Sequence, residues 1–125
     1  MRYLLPCLLF PLPALADPSM ECADAASQVE IGACVSDMET RVDAALSTAL
    51  GFAMSSAREL DEITERSVAV PALEASQSAW EAYRAAHCDY IGSTFGGGSG
   101  TGIAITSCRV VLGRARVEAL MAQAR

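Results

Sequence analysis

From Ile31 onward, apolar residues recur at Ile31, Val35, Met38, Val42, Ala45, Ala49 and Phe52, with Asp37, Glu39, Thr40, Asp43, Ser47 and Thr48 between them. Steps of four and three place the apolar set on one side of a 3.6-residue helix, so the pattern predicts an amphipathic helix ending near Gly51 to Ser56. A second stripe follows Pro71: Leu73, Gln77, Trp80, Arg84, Cys88 and Ile91 share one face. Pro71 suits the first turn, where its missing N–H is harmless, and Gly92 is placed to end the helix. A third stripe, Cys108, Leu112, Ala115, Ala119 and Ala122, calls for a last helix capped by Thr106 or Ser107.

Between the first two stripes, Ala57 to Arg66 is charged, with Leu60 and Ile63 as apolar anchors and Glu62 paired with Arg66. It reads as a short helix or helical extension before a joint at Ser67 to Val70. Ser19, Ser27, Ser36 and Ser56 precede Cys22, Glu30, Glu39 and Glu59 by three residues. Three of these are capping boxes, which predict a segmented helical N-terminal half. Only the short run Gly102 to Thr106 has strand character. The expected fold is therefore all-α, a small antiparallel bundle of about three to four helices.

Gly92 to Gly102 holds six glycines with Ser93, Thr94, Phe95, Ser99 and Thr101 among them. Following a helix, lacking lysine and matching no phosphate-binding glycine motif, it is no nucleotide cradle. It joins two helices into an antiparallel hairpin.

At the N-terminus, Met1-Arg2 precedes an apolar run from Tyr3 to Leu15, and Ala14-Leu15-Ala16 forms a cleavage site. The run is short for a membrane span and carries Pro6, Pro11 and Pro13. Residues 1–16 are expected to be a signal peptide and residues 17–125 a single exported domain, in the periplasm or secreted, with no stable membrane insertion after cleavage.

Cys7 would leave with that signal. Cys22, Cys34, Cys88 and Cys108 remain, an even set in a small exported chain, which reads as two disulfides. Zinc fits poorly: the spacings are long, and the one histidine, His87, diverges from Cys88 around a helix. No metal and no cofactor are expected. Four cysteines allow three connectivities. A Cys22–Cys34 bond requires a break in the helix between them, since twelve helical residues span about 18 Å, and Ser27 and Ser36 offer two places for it. A Cys88–Cys108 bond would staple the hairpin at its base. The pairing adopted is Cys22–Cys34 and Cys88–Cys108.

The chain has no lysine, and residues 17–125 carry eight arginines against fifteen acids. Twelve of those acids and three of the arginines lie between Asp17 and Glu74. Such a surface repels nucleic acid and suits a basic partner or simple solubility. Catalysis has little to build on. His87 is the only imidazole, the cysteines are spent, Asp61 and Glu62 point to different sides of a helix, and no spacing favours Ser93 or Ser99 as a nucleophile.

Taken together, Cys22, Cys34, Asp43-x-x-Leu46, Gln77-x-x-Trp80-x-x-x-Arg84-x-x-x-Cys88, the Gly/Ser-rich loop and Cys108-x-x-x-Leu112-x-x-x-Arg116-x-x-x-Leu120 resemble the LprI-like family across the domain. Arg109, Gly113 and Leu50 depart from the residues usual there. The resemblance implies a non-enzymatic lysozyme inhibitor of the bacterial envelope; the alternative is a structural or accessory periplasmic module without effect on lysozyme. It also singles out Asp43 as the partner of Arg84, and Gln77, Trp80, Arg84, Asp43 and Arg116 as structural residues. Ser93, Thr94, Phe95 and Ser99 are the candidate partner-binding positions, for a basic protein such as lysozyme. Oligomeric state is not legible in the sequence.

Overall fold

A computed structural model describes residues 17–124; the expected signal peptide lies outside the described residues. Four helices follow one another: α1 (Pro18–Glu21), α2 (Gln28–Thr64), α3 (Ala69–Ser93) and α4 (Thr101–Met121). The fold is all-helical and closed by two disulfides, Cys22–Cys34 and Cys88–Cys108, with Cα separations of 6.0 and 5.5 Å.

One turn long, α1 begins with Asp17 as N-cap, accepting from the Ser19 N–H and hydroxyl, and Pro18 in the first turn. The chain then breaks once. Ser27 caps α2 by accepting from the Glu30 N–H, while the Glu30 carboxylate accepts from the Ala26 N–H. That reciprocal box satisfies two backbone donors and turns the chain enough for Cys22 to reach Cys34.

The boxes at Ser36 and Ser56 are not used. Both residues lie inside α2, which runs unbroken for 37 residues, well past the end expected near Gly51 to Ser56. A cap needs an extended residue. At Ser36, continuous apolar periodicity on the buried face holds the backbone helical, and Thr40 Oγ1 donates to the Ser36 carbonyl.

The turn from α2 to α3 rests on two residues. Glu65 adopts a left-handed conformation, φ 54°, so that the N–H groups of Glu65 and Arg66 bond back to Glu62 and Asp61. Val68, the residue before α3, provides no side-chain cap. The carboxylate of Asp61 substitutes, accepting from the N–H groups of Val68, Ala69 and Val70 at 2.8–3.1 Å. The bonds from Val70 and Ala69 hold the Asp61 carboxyl below its ordinary value of 3.8. A lowered carboxylate pKa means stability that is whole above the ordinary value and lost as pH falls through the lowered one. Asp61→Asn is therefore expected to melt at lower temperature than wild type at neutral pH, with the gap narrowing as pH drops below 3.8; thermal melts across that range check it.

Two clusters form the core. Near α1, Cys22, Val35 and Val110 are buried with Ile31, Met38, Val42 and Ile103 against them. Farther along, Leu46, Ala49, Ala53 and Leu120 are buried beneath Leu50, Leu73, Trp80 and Val117. Each fully buried aliphatic side chain contributes about 1.5–3 kcal/mol.

The face of α2 differs from the expected stripe: Leu46 and Ala53 are buried, whereas Ala45 and Phe52 are exposed. Leu60 and Ile63, expected anchors, are exposed too. At 1.5 Å per residue α2 is about 55 Å long and α4 about 31 Å, so the last turns of α2 lie beyond the cover that α4 provides. In α4, Ser107, Val110, Gly113 and Leu120 are buried, while the expected Ala115, Ala119 and Ala122 face outward. This helix packs against α1, α2 and α3 at once, so no single stripe describes it. It also starts at Thr101 rather than at Thr106 or Ser107, taking in the strand-like run as helix.

Candidate functional site

Three features were candidates for function: the polar stripe of α3, the connector after it, and a groove beside α1. On α3, Leu73, Gln77, Trp80, Arg84, Cys88 and Ile91 do share the inward face, with Gln77 and Cys88 buried and the others partly so. The Arg84 side chain, 13% exposed, reaches between α2 and α4. Its Nη2 donates to Asp43 Oδ1 at 2.8 Å, and both Nε and Nη2 donate to the carbonyl of Arg109, at 3.1 and 2.8 Å. Gly113 makes this path open, because a Cβ there would lie 3.2 Å from Arg84 Nη2 and 2.4 Å from Val42 Cγ1.

Two guanidinium groups stand over the Trp80 ring, with Arg84 Cζ at 5.3 Å and Arg116 Cζ at 5.8 Å from its centre. Arg116 in turn donates from Nε to Gln77 Oε1 and from Nη2 to Ser76 Oγ, both at 3.1 Å, and Gln77 Nε2 donates to Glu81 Oε1 at 3.1 Å. The network joins three helices.

The connector is shorter and more ordered than its glycine content suggests. Since α3 runs to Ser93, Gly92 does not end it; a Cβ on Gly92 would stand 2.5 Å from Ile105 Cγ1, so this glycine lets α3 and α4 approach beside the Cys88–Cys108 bond. Ser93 Oγ donates to the Tyr90 carbonyl and Thr94 Oγ1 to that of Ile91, and Thr101 Oγ1 donates back to Gly98. Gly96 and Gly97, at φ 60° and 79°, make the turn that only glycine enters without strain. The hydroxyl donors of Ser93 and Thr94 are therefore occupied in ending a helix. Phe95, half exposed, is the large apolar side chain that the connector presents, and Ser99 is exposed beside it.

The groove draws members from all three sequence stripes, Ile31, Ile91 and Leu112 among them. It is an open depression bordered by α1, the start of α2, the second half of α3 and the first half of α4, with a volume of about 680 Å³. Pro18, Met20, Ile31, Ile91, Phe95 and Ile103 supply apolar walls. Its polar lining residues are Asp17, Ser19, Gln28, His87 and Ser107, and the last two are each the sequence neighbour of one half-cystine of the Cys88–Cys108 bond. The Ser107 hydroxyl is buried with no hydrogen-bond partner, a condition that costs about 1–3 kcal/mol. No hydrogen bond links the Ser107 hydroxyl to His87. The His87 ring stacks instead on Tyr83 at 5.3 Å and lies 6.3 Å from Tyr90. Among the described residues no group of His, Cys, Asp or Glu is arranged to hold a metal ion.

The sequence signal that could have exposed this groove is Asp17-Pro18, an N-cap followed by proline at the first helical position, which marks α1. Cys22–Cys34 and a two-pronged ion pair from Arg114 to Glu21, at 2.7 and 3.3 Å, then hold α1 against the bundle.

A helical domain stapled by two disulfides suits an oxidising, extracytoplasmic setting. Residues 20–120 match the family model described as lysozyme inhibitor LprI, and the chain belongs to that family. Comparison with curated proteins and with solved structures returned no match. Among the described residues, no helix is long and apolar enough to cross a membrane.

Proposed function

We propose that this protein is an exported, non-enzymatic inhibitor that binds a lysozyme. Membership of the LprI family across residues 20–120 is the observation that carries this. Two surface features support it. The helix α2 exposes acids along its length, including Glu30, Asp37, Glu59 and Glu62, within a chain of formal charge −6, which steers a basic enzyme toward it. The connector leaves Phe95 half exposed at the rim of the groove, near exposed Ser93, Thr94 and Ser99, on a base fastened by Cys88–Cys108. An aromatic side chain on a rigid turn loses little entropy on docking.

Purified, disulfide-bonded protein is expected to inhibit lysozyme in a cell-wall lysis assay, more strongly at low than at high ionic strength. Phe95→Ser is expected to weaken inhibition by about tenfold while leaving the helical signal unchanged. Failure to bind or inhibit several lysozyme types at low salt would refute the proposal and leave the accessory-module reading, which predicts capture of a different envelope protein.

A further inference from the structure

We infer that a ridge of three rings on an exposed face of α3, formed by Tyr83, His87 and Tyr90, is the surface that enters the glycan-binding cleft of a lysozyme. The inference rests on the inhibitor reading above and adds to it the part of this chain that meets the enzyme's active site.

Helical spacing makes the ridge. Tyr83, His87 and Tyr90 step by four and three, which lines them up on a face beside the inward stripe of Trp80, Arg84 and Cys88. Tyr83 and Tyr90 are 53% and 62% exposed. Along one flank of the row lie Ala79, Ala82 and Ala86, all exposed and all short. On the other flank His87 borders the open depression beside α1. The rings therefore stand above their surroundings on both sides, a relief that suits a cleft and not a flat partner.

The row is also prearranged. Tyr83 and His87 stack with ring centres 5.3 Å apart, and His87 and Tyr90 follow at 6.3 Å. Rings that already pack on one another lose little freedom on docking. Their spacing is close to the rise of one β-1,4-linked sugar unit, the repeat that a lysozyme cleft is shaped to hold. Phe95, assigned above to the same partner, lies just past the end of α3 and borders the same depression as His87, so ridge and connector form one continuous surface.

Charge selects the occupant. A chain of formal charge −6 attracts a basic enzyme as a whole, yet the cleft of a glycoside hydrolase carries two carboxyl groups, which would repel an acidic ridge. Neither the three rings nor the alanines beside them bring an acid there; Asp89, next to Tyr90 in sequence, lies about 100° around the helix from it. Among the described residues neither tyrosine hydroxyl is engaged in a hydrogen bond. Each is a neutral donor free to meet a cleft carboxylate.

Calorimetric titration of the purified, disulfide-bonded protein into a basic c-type lysozyme, with and without a saturating trimer of N-acetylglucosamine in the cleft, tests this. The trimer is expected to abolish binding. Tyr83→Ala combined with Tyr90→Ala, both on exposed positions of a helix, is expected to weaken binding and inhibition at least about tenfold with an unchanged melt. Phe52→Ala, at a 54% exposed aromatic on α2, is expected to change neither. Binding undiminished by the trimer, full inhibition by the double variant, or an equal loss in Phe52→Ala would overturn the ridge and leave the inhibitor reading standing. The competition needs no variant, so it decides even if a substitution disturbs the fold. Binding of the trimer by this protein alone would make the ridge a glycan platform and overturn the inference, and failure of the wild type to bind any lysozyme would overturn both readings together.

Discussion

Gly113→Ala is expected to lower the free energy of unfolding by about 2 kcal/mol, even though alanine favours an α-helix over glycine by about 1 kcal/mol. The new Cβ would stand 2.4 Å from Val42 Cγ1 and 3.2 Å from Arg84 Nη2. Val42 is β-branched and has little rotamer freedom on a helix. Arg84 is pinned by three hydrogen bonds. Neither neighbour can swing aside, so α2 and α4 must separate and loosen the buried pair Val35 and Val110. Gly51 provides the control: it lies within α2, and nothing comes within 4 Å of the Cβ it lacks. Gly51→Ala is expected to raise stability by about 0.5–1 kcal/mol. One substitution, two opposite signs, read as shifts in the urea midpoint at unchanged slope; equal stabilisation by both would refute the close approach at Gly113.

Arg84→Ala is expected to cost about 3 kcal/mol, a large share of a total on the order of 5–10 kcal/mol for a domain of this size. Three sources add. The charged hydrogen bonds to the Arg109 carbonyl and to Asp43 are each stronger than neutral ones. One of the two cations over Trp80 is removed. A void opens where the 13%-exposed side chain had run between helices. The ion pair itself is the smaller part, because the Asp43 side chain is 49% exposed and water can solvate it again. Asp43→Asn is accordingly expected to cost less than about 1 kcal/mol. Chemical denaturation of the two single variants separates the contributions; equal losses would mean that the pair, and not the anchoring to α4, dominates.

Legibility in the sequence followed how closely each helix face obeys the geometry of a straight helix. On α3 the six stripe positions average 3.6 residues per step, and all six turn inward. On α2 the expected stripe stepped at 3.5, which drifts around a straight helix by about 20° per heptad. By Ala45 and Phe52 the drift had carried the stripe off the buried face, and the neighbours Leu46 and Ala53 hold those places. For α4 a one-face pattern was the wrong template, since a helix in contact with three others buries residues on several sides. The resemblance pattern marked Gly113 as a departure and Asp43 as a partner for Arg84, but not that these three share one crossing of α2, α3 and α4. The groove was legible only in pieces: Asp17-Pro18 marks α1, and Ile31, Ile91 and Leu112 lie on the predicted stripes, but nothing in the sequence brings them together. Its walls come from residues near both ends of the chain, and its floor depends on which cysteines pair.

The cysteines of the described residues bond in the order in which they occur: first to second across 12 residues, third to fourth across 20. A chain delivered N-terminus first to an oxidant therefore meets each correct partner before any later thiol has arrived. Cys22 and Cys34 can close when only α1 and the opening turns of α2 have emerged, and no bond must be undone when Cys88 and Cys108 follow. Reshuffling, which takes seconds to hours, drops out of the maturation of such a chain. For a chain delivered in that way, the adjacency of the pairs is a kinetic safeguard as well as a structural staple.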